Sequence, residues 1–291
     1  MTAIVEFPVT AWDEPCPADL QERALHALET GSVLGLPQLR FRLEESEGSL
    51  LSPALVARGK SVSFDMASGE LRGSGAGAAE TELLRAMMRR FAVSSRNLLG
   101  NLLPHYRAGL APARTSFRPL EIERRRTSWR KDDSRLHVDA FPSTPVQGRR
   151  ILRVFCNVSP HGRSRDWRLG EPFEDVARRF VPALSGPALG SSRLLHALGI
   201  TRGRRSAYDH LMLQLHDAMK ADLAYQSQAE QAVHEFRPGS TWVVYTDQVS
   251  HAAIRGQYLL EQTCYLPVSA MLDPSRSPLR ILERSTGLTL T

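Results

Sequence analysis

Three residues and their spacing constrain this chain more than anything else in it. In Arg135-Leu136-His137-Val138-Asp139, His137 and Asp139 stand two positions apart. On an extended strand both side chains therefore point the same way. A third residue of metal-binding type, His251, comes far downstream in Thr246-Asp247-Gln248-Val249-Ser250-His251. A Pro238-Gly239 turn and an apolar strand-like run, 241–246, precede it. Strand signal falls on both sides of a helical stretch, with the metal-type residues near strand ends. A jelly-roll or cupin barrel presents a metal at its mouth in this way. The expected fold is therefore α+β: a double-stranded β-helix (jelly-roll, cupin-like) core with flanking and inserted helices. Residues 1–112 read as an N-terminal α/β region packing on that core. Residues 113–291 read as the core itself, with a helical insertion at about 163–230.

Two histidines and one carboxylate are the facial triad of non-haem Fe(II) oxygenases, which leaves coordination positions open for a co-substrate and O₂. His137, Asp139 and His251 are the candidate catalytic and metal-binding residues. His26, His105, His161, His196 and His234 are isolated, and His210 and His216 are six apart on one predicted helix rather than on one face. Each of these reads as structural or superficial. Iron in such a site needs an electron source, which a chelating 2-keto acid supplies, and the far carboxylate of that acid needs a cation. About ten residues past His251 stand Gln262 and Thr263, which cannot neutralise a carboxylate. Arg153, on the next predicted strand with Phe155 and Asn157 on its face, is the alternative. Arg255 and the arginines of 114–126 are rivals. Arg153, Asn157 and Arg255 are thus the candidate co-substrate residues.

Elements follow from periodicity. A strand is expected at Ile4–Phe7, a helix over Ala18–Glu29 ended by Gly31, and a short alternating run at Leu39–Leu43. Leu83, Leu84, Met87, Met88, Phe91, Leu98, Leu99 and Leu102 recur near the 3.6 period, so a core-packing helix is expected from Ala78 to about Tyr106, ended or kinked at Pro104. Arg150–Val158 is strand-like. Helices are expected at Phe173–Phe180, Ser192–Leu198 and Ala207–Tyr225. Strands are expected at Thr241–Thr246, His251–Ile254 and, after a Gly256 turn, Leu259–Leu266.

The 291 residues carry a net charge of +6, which points to an anionic partner: nucleic acid, an anionic membrane surface or a small anion. The most basic stretch, 113–135, leads directly into the metal motif. Arginine's planar fork suits carboxylate and phosphate, so Arg118, Arg124, Arg126, Trp129 and Arg130 are candidate substrate contacts. No row of aromatics interleaves with these arginines, which counts against nucleic acid. The three cysteines, Cys16, Cys156 and Cys264, form no CxxC pair, and two lie in apolar runs. That usage suits a reducing compartment. No signal-peptide pattern opens the chain and no apolar run approaches membrane-spanning length. The expected location is cytoplasmic, with any membrane contact peripheral.

The stretches HVDAFPSTPVQGRRILRVFCNVSPHGRSRDWRLGEPFE, YDHLMLQLHDAMKADLAYQ and FRPGSTWVVYTDQVSHAAIRGQYLLEQTCYLP resemble the Kdo hydroxylase family, over roughly residues 115–270. These are bacterial Fe(II)/2-oxoglutarate-dependent dioxygenases. The resemblance implies hydroxylation at C3 of 3-deoxy-D-manno-oct-2-ulosonic acid (Kdo) on Kdo-lipid A to give Ko, a modification of lipopolysaccharide. It implies Fe(II), 2-oxoglutarate and O₂, with His137, Asp139 and His251 as the iron ligands. It also gives the basic surface a partner in the sugar carboxylate, the lipid A phosphates and the anionic inner membrane. Two readings compete: a same-fold oxygenase acting on a protein or small molecule, and a non-redox cupin-like binding protein. The sequence leaves the oligomeric state open.

Overall fold

The computed structural model describes residues 1–123, 127–186 and 196–291. Eleven strands among them form two sheets. The larger has the order β1 (Ile4–Glu6), β2 (Val33–Leu36), β9 (Thr241–Tyr245), β6 (Arg150–Asn157), β11 (Leu259–Leu266), β5 (Ala111–Arg118), β3 (Val62–Phe64), β4 (Leu71–Arg72). β1 and β2 are parallel and the other pairs antiparallel. The smaller sheet has the order β10 (His251–Arg255), β7 (Arg165–Leu169), β8 (Ala232–Phe236). The N-terminal strands β1 to β4 thus flank the C-terminal ones within a single sheet, and position 112 falls inside β5.

The back of the large sheet is covered by helix α1 (Ala18–Glu29) and helix α2 (Ala78–Leu102). Leu84, Met87, Met88, Phe91, Leu98, Leu99 and Leu102 line the buried face of α2, as their spacing predicts. Each such side chain contributes about 1.5–3 kcal/mol over an exposed one. The helix stops at Leu102 because Pro104 has no N–H and disfavours helical backbone at Leu103. Among the described residues, further helices are α3 (Phe173–Phe180), α4 (Ala207–Ala221), α5 (Leu223–Gln228) and α6 (Pro278–Thr286).

Several elements differ from expectation. Ala207–Tyr225 is not one helix: Asp222 has extended backbone and its carboxylate accepts the Tyr225 N–H at 2.9 Å, capping α5 as a separate helix. The run Leu39–Leu43 forms no strand, although Leu39 and Phe41 are buried. β7 lies within the stretch 163–230 that reads as helical, because its charged residues are buried by partners rather than by alternation. Asp166 accepts from Ser164 Oγ at 2.6 Å and pairs with Arg255 at 3.4 Å. β5 reads as a charge run, yet its alternate residues Thr115 and Phe117 are buried. The Gly256 turn joins β10 to β11 at φ 111°, where a Cβ would lie 2.8 Å from the Ser164 carbonyl oxygen, so only glycine fits. The expected helix at Ser192–Leu198 lies largely outside the described residues.

Candidate active site and metal centre

β10 is paired by β7 on one side, and on the other by the segment that carries His137 and Asp139. His137 N–H donates to the His251 carbonyl at 3.0 Å, and His251 N–H donates back at 2.9 Å. Ala253 N–H donates to Asp133 O at 2.8 Å and Asp139 N–H to Thr246 O at 2.7 Å. These backbone bonds place one ligand-type atom from each of His137, Asp139 and His251 within 4.8 Å of the others. The two imidazole centroids are 4.7 Å apart.

Each histidine is oriented by its own strand. Nδ1 of His137 lies 2.7 Å from Arg135 O, and Nδ1 of His251 lies 2.8 Å from Val249 O. A neutral ring donates its Nδ1 proton there and turns the Nε2 lone pair to the common centre. Burial lowers the pKa of both rings and so favours that neutral form. Trp167 stacks on His251 at 4.9 Å. Burial pushes the Asp139 carboxyl up, but Arg153 and the two histidines outweigh it and hold the pKa below its ordinary value. Asp139 Oδ2 lies 3.1 Å from Arg153 Nη1 without a hydrogen bond to any donor. Two neutral ring nitrogens and a carboxylate oxygen with spare lone pairs fit a divalent first-row metal.

These atoms open into a cavity of about 940 Å³. Seven lysines and arginines line it against three carboxylates, so its field favours anions. Three of the cations are held by the acids. Arg118 pairs with Glu261 at 2.7 Å and with Asp133 at 3.7 Å, and Lys60 pairs with Asp133 at 2.5 Å. Arg153 reaches both Asp139 and Glu261, the latter at 3.3 Å. Burial raises the Glu261 pKa, but Arg118 and Arg153 more than reverse that.

The expected site residues divide clearly. Arg118, Arg130 and Arg153 line the cavity with the three metal-type residues. Arg130 is at the rim, paired with Asp217 at 2.9 Å and lying 4.0 Å over the Trp129 ring. Trp129 itself does not line the cavity. Asn157 does not reach it either: its amide donates to Arg163 O and Phe236 O and accepts from Ser159 N–H, so its bonds are spent inside the fold. Arg255 points away; its side chain is 61% exposed and pairs with Glu123 and Asp166. Arg124 and Arg126 lie outside the described residues. The cavity also contains residues that sequence reasoning passed over: Lys60, Arg165, Trp167, Glu261 and, from α4, His216 and Lys220. His216 reads from sequence as structural; its ring nevertheless meets that of His137 edge-on at 5.3 Å. The one signal available for α4 was that His216 and Lys220 are four residues apart and so share a helical face.

A jelly-roll core with this donor set at its mouth defines a class, the mononuclear non-haem iron dioxygenases. Comparison with known proteins narrows it. Residues 11–289 match the family model of 3-deoxy-D-manno-oct-2-ulosonic acid (Kdo) hydroxylase, and the chain belongs to that family. It is 46% identical, with a TM-score of 0.97, to the crystal structure of the Kdo hydroxylase KdoO, a non-haem Fe(II) α-ketoglutarate-dependent dioxygenase, in complex with α-ketoglutarate and Fe(III); the match covers 100% of this chain and 98% of that one. The structure of KdoO with succinate and Fe(III) matches at 46% identity and a TM-score of 0.96, over 99% and 97% of the two chains. The cobalt(II) complex matches at 46% and 0.97, with the same coverage. Among curated protein sequences none matches. The family match takes in most of the first 110 residues, which carried little of the resemblance legible in the sequence.

Proposed function

We propose that this chain hydroxylates C3 of the Kdo sugar of Kdo-lipid A, giving Ko, with Fe(II), 2-oxoglutarate and O₂. The observation that carries the reading is the convergence of His137, Asp139 and His251 within 4.8 Å on a cavity dominated by cations. An acidic sugar bearing lipid phosphates suits that field. Bound iron with 2-oxoglutarate and O₂ would supply the oxidising power to insert oxygen into a C–H bond.

The chain's own residues hold and orient. His137 and His251 offer Nε2, and Asp139 a carboxylate oxygen. Arg153 holds the distal carboxylate of 2-oxoglutarate, being the cavity arginine beside Asp139. Arg118 supports Arg153 through their shared partner Glu261. Arg130 meets anionic groups of the substrate at the rim. No helix among the described residues is long and apolar enough to cross a membrane, and approach to a lipid-borne substrate would be peripheral, favoured by the basic surface.

The test is incubation of the iron-loaded protein with Kdo-lipid A, 2-oxoglutarate and air. The expected result is a gain of one oxygen atom on the Kdo unit, matched by succinate. Succinate release with a protein or another small molecule, and none with Kdo-lipid A, would overturn the substrate and leave the same-fold oxygenase reading.

A further inference from the structure

The chain contains three lysines among its 37 basic residues, and all three, Lys60, Lys131 and Lys220, line the one cavity. Everywhere else arginine supplies the positive charge. A lysine ammonium is a compact point charge with three donors, distinct from the planar fork of the arginines beside it.

Lys220 differs from Arg118 and Arg153 on the wall. It is 2% exposed. Its Nζ donates to the Arg130 carbonyl at 3.1 Å, and among the described residues no carboxylate lies within ion-pair distance of it. Arg118 and Arg153, by contrast, are each held by acids. Asp133, Asp139, Asp132 and Asp217 support the Lys220 charge from beyond ion-pair distance against the cost of burial, and a methionine or leucine at this position on α4 would avoid that cost. Two N–H donors remain for something that enters the cavity.

The position of Lys220 relative to the metal-type residues is fixed by the backbone. Its own carbonyl accepts Arg135 Nη1 at 2.7 Å, two residues before His137. Gln226 on α5 accepts Leu136 N–H at 2.7 Å and donates to Leu136 O at 3.0 Å and Met219 O at 2.8 Å. The α4–α5 corner thus clamps the strand that carries His137. One turn before Lys220, His216 has Nδ1 3.0 Å from Asp217 Oδ1. With that proton given to Asp217, Nε2 is an acceptor.

We propose that Lys220 binds the carboxylate of the sugar-acid substrate and that His216 accepts a hydrogen bond from a hydroxyl of the same sugar. The inference rests on the proposed Kdo hydroxylation and names the side of the cavity that reads the substrate. 2-Oxoglutarate is held from the strand wall, at Arg153; the substrate carboxylate is held from the helical wall, at Lys220.

The test compares wild type with Lys220→Met and Lys220→Arg, each iron-loaded. In Lys220→Met the KM for Kdo-lipid A is expected to rise on the order of 10- to 100-fold, as for a lost charge-assisted bond. The KM for 2-oxoglutarate stays within about twofold, and Lys220→Arg recovers part of the loss. A merely structural role would not change carboxylate recognition, so the methyl glycoside of Kdo and its C1 methyl ester are offered as competing ligands. Wild type should prefer the acid by a similar factor, and Lys220→Met should lose that preference; if Lys220→Met does not fold, Lys220→Gln carries the same measurement. An unchanged KM for Kdo-lipid A, a rise in the KM for 2-oxoglutarate in its place, or a retained acid preference would overturn the proposal while the hydroxylase reading stands. Wild type that leaves Kdo-lipid A unoxidised removes the reading, and the proposal with it, before any variant is compared.

Discussion

Arg150 and Arg153 stand three residues apart on β6 and face opposite sides of the large sheet. Arg150 is 0% exposed, and its hydrogen bonds are closed within the fold. Nε donates to Asp247 at 2.7 Å and Nη2 to Gln248 Oε1 at 2.7 Å, while the guanidinium lies 3.7 Å over the Tyr245 ring. Arg153 faces the cavity and shares Asp139 and Glu261. The difference separates two jobs that one residue type can do. The back-face arginine fixes the loop between β9 and β10, whose Thr246 carbonyl holds Asp139 and whose end is His251. The front-face arginine shares its carboxylate partners with the cavity, where the proposed function gives it a ligand.

Breaking the front face at the metal residues should have the largest effect. Asp139→Ala or His137→Ala is expected to abolish iron-dependent succinate formation while leaving a folded chain, checked by circular dichroism and metal analysis. Breaking the back face should act through stability instead. Arg150→Met leaves the buried Asp247 carboxylate without its partner and is expected to cost about 3–5 kcal/mol in chemical denaturation. Burial already raises the Asp247 pKa against the pull of Arg150, so this variant should also leave that carboxyl harder to ionise. A smaller and differently placed effect is expected from Arg153→Met: a KM for 2-oxoglutarate raised on the order of 10- to 100-fold. Arg153→Lys would restore only part of it, because a point charge does not reproduce the planar fork. The smallest effect belongs to Arg255→Ala. Its exposed pairs contribute little, so stability should change by less than about 0.5 kcal/mol and steady-state activity should be unchanged. A raised KM for 2-oxoglutarate in Arg255→Ala, with none in Arg153→Met, would reverse the assignment of faces.

Much of this arrangement was legible in the sequence. The metal-type residues stood out because their residue types and strand-end positions leave few other readings. β6, β9 and β11 read correctly because β-branched, aromatic and other apolar residues dominate them and they are buried on both faces. β7 did not, because Arg165, Asp166 and Arg168 carry no apolar alternation, and buried Asp166 is paired with Arg255, distant in the chain. Arg153 was singled out from its place on a strand beside the metal motif and does line the cavity, but the same argument admitted Asn157, whose amide is consumed by backbone groups of 159, 163 and 236. Arg255, the rival to Arg153, is turned out of the cavity by β10. Lys220 and His216 could be placed on one helical face, but no periodicity shows which surface that face covers. The fact that only three lysines occur was visible throughout and gains meaning only once the cavity is seen.

The most direct test of the central claim is anaerobic titration of the metal-free protein with Fe(II) and 2-oxoglutarate, followed by the weak visible charge-transfer band of the chelate. Wild type and His137→Ala would be measured side by side. The account predicts a band in wild type that saturates at one equivalent and is lost in the variant. A folded, iron-loaded wild type that shows no band, or a His137→Ala protein that keeps it, would contradict the assignment of His137, Asp139 and His251 as the iron and 2-oxoglutarate centre.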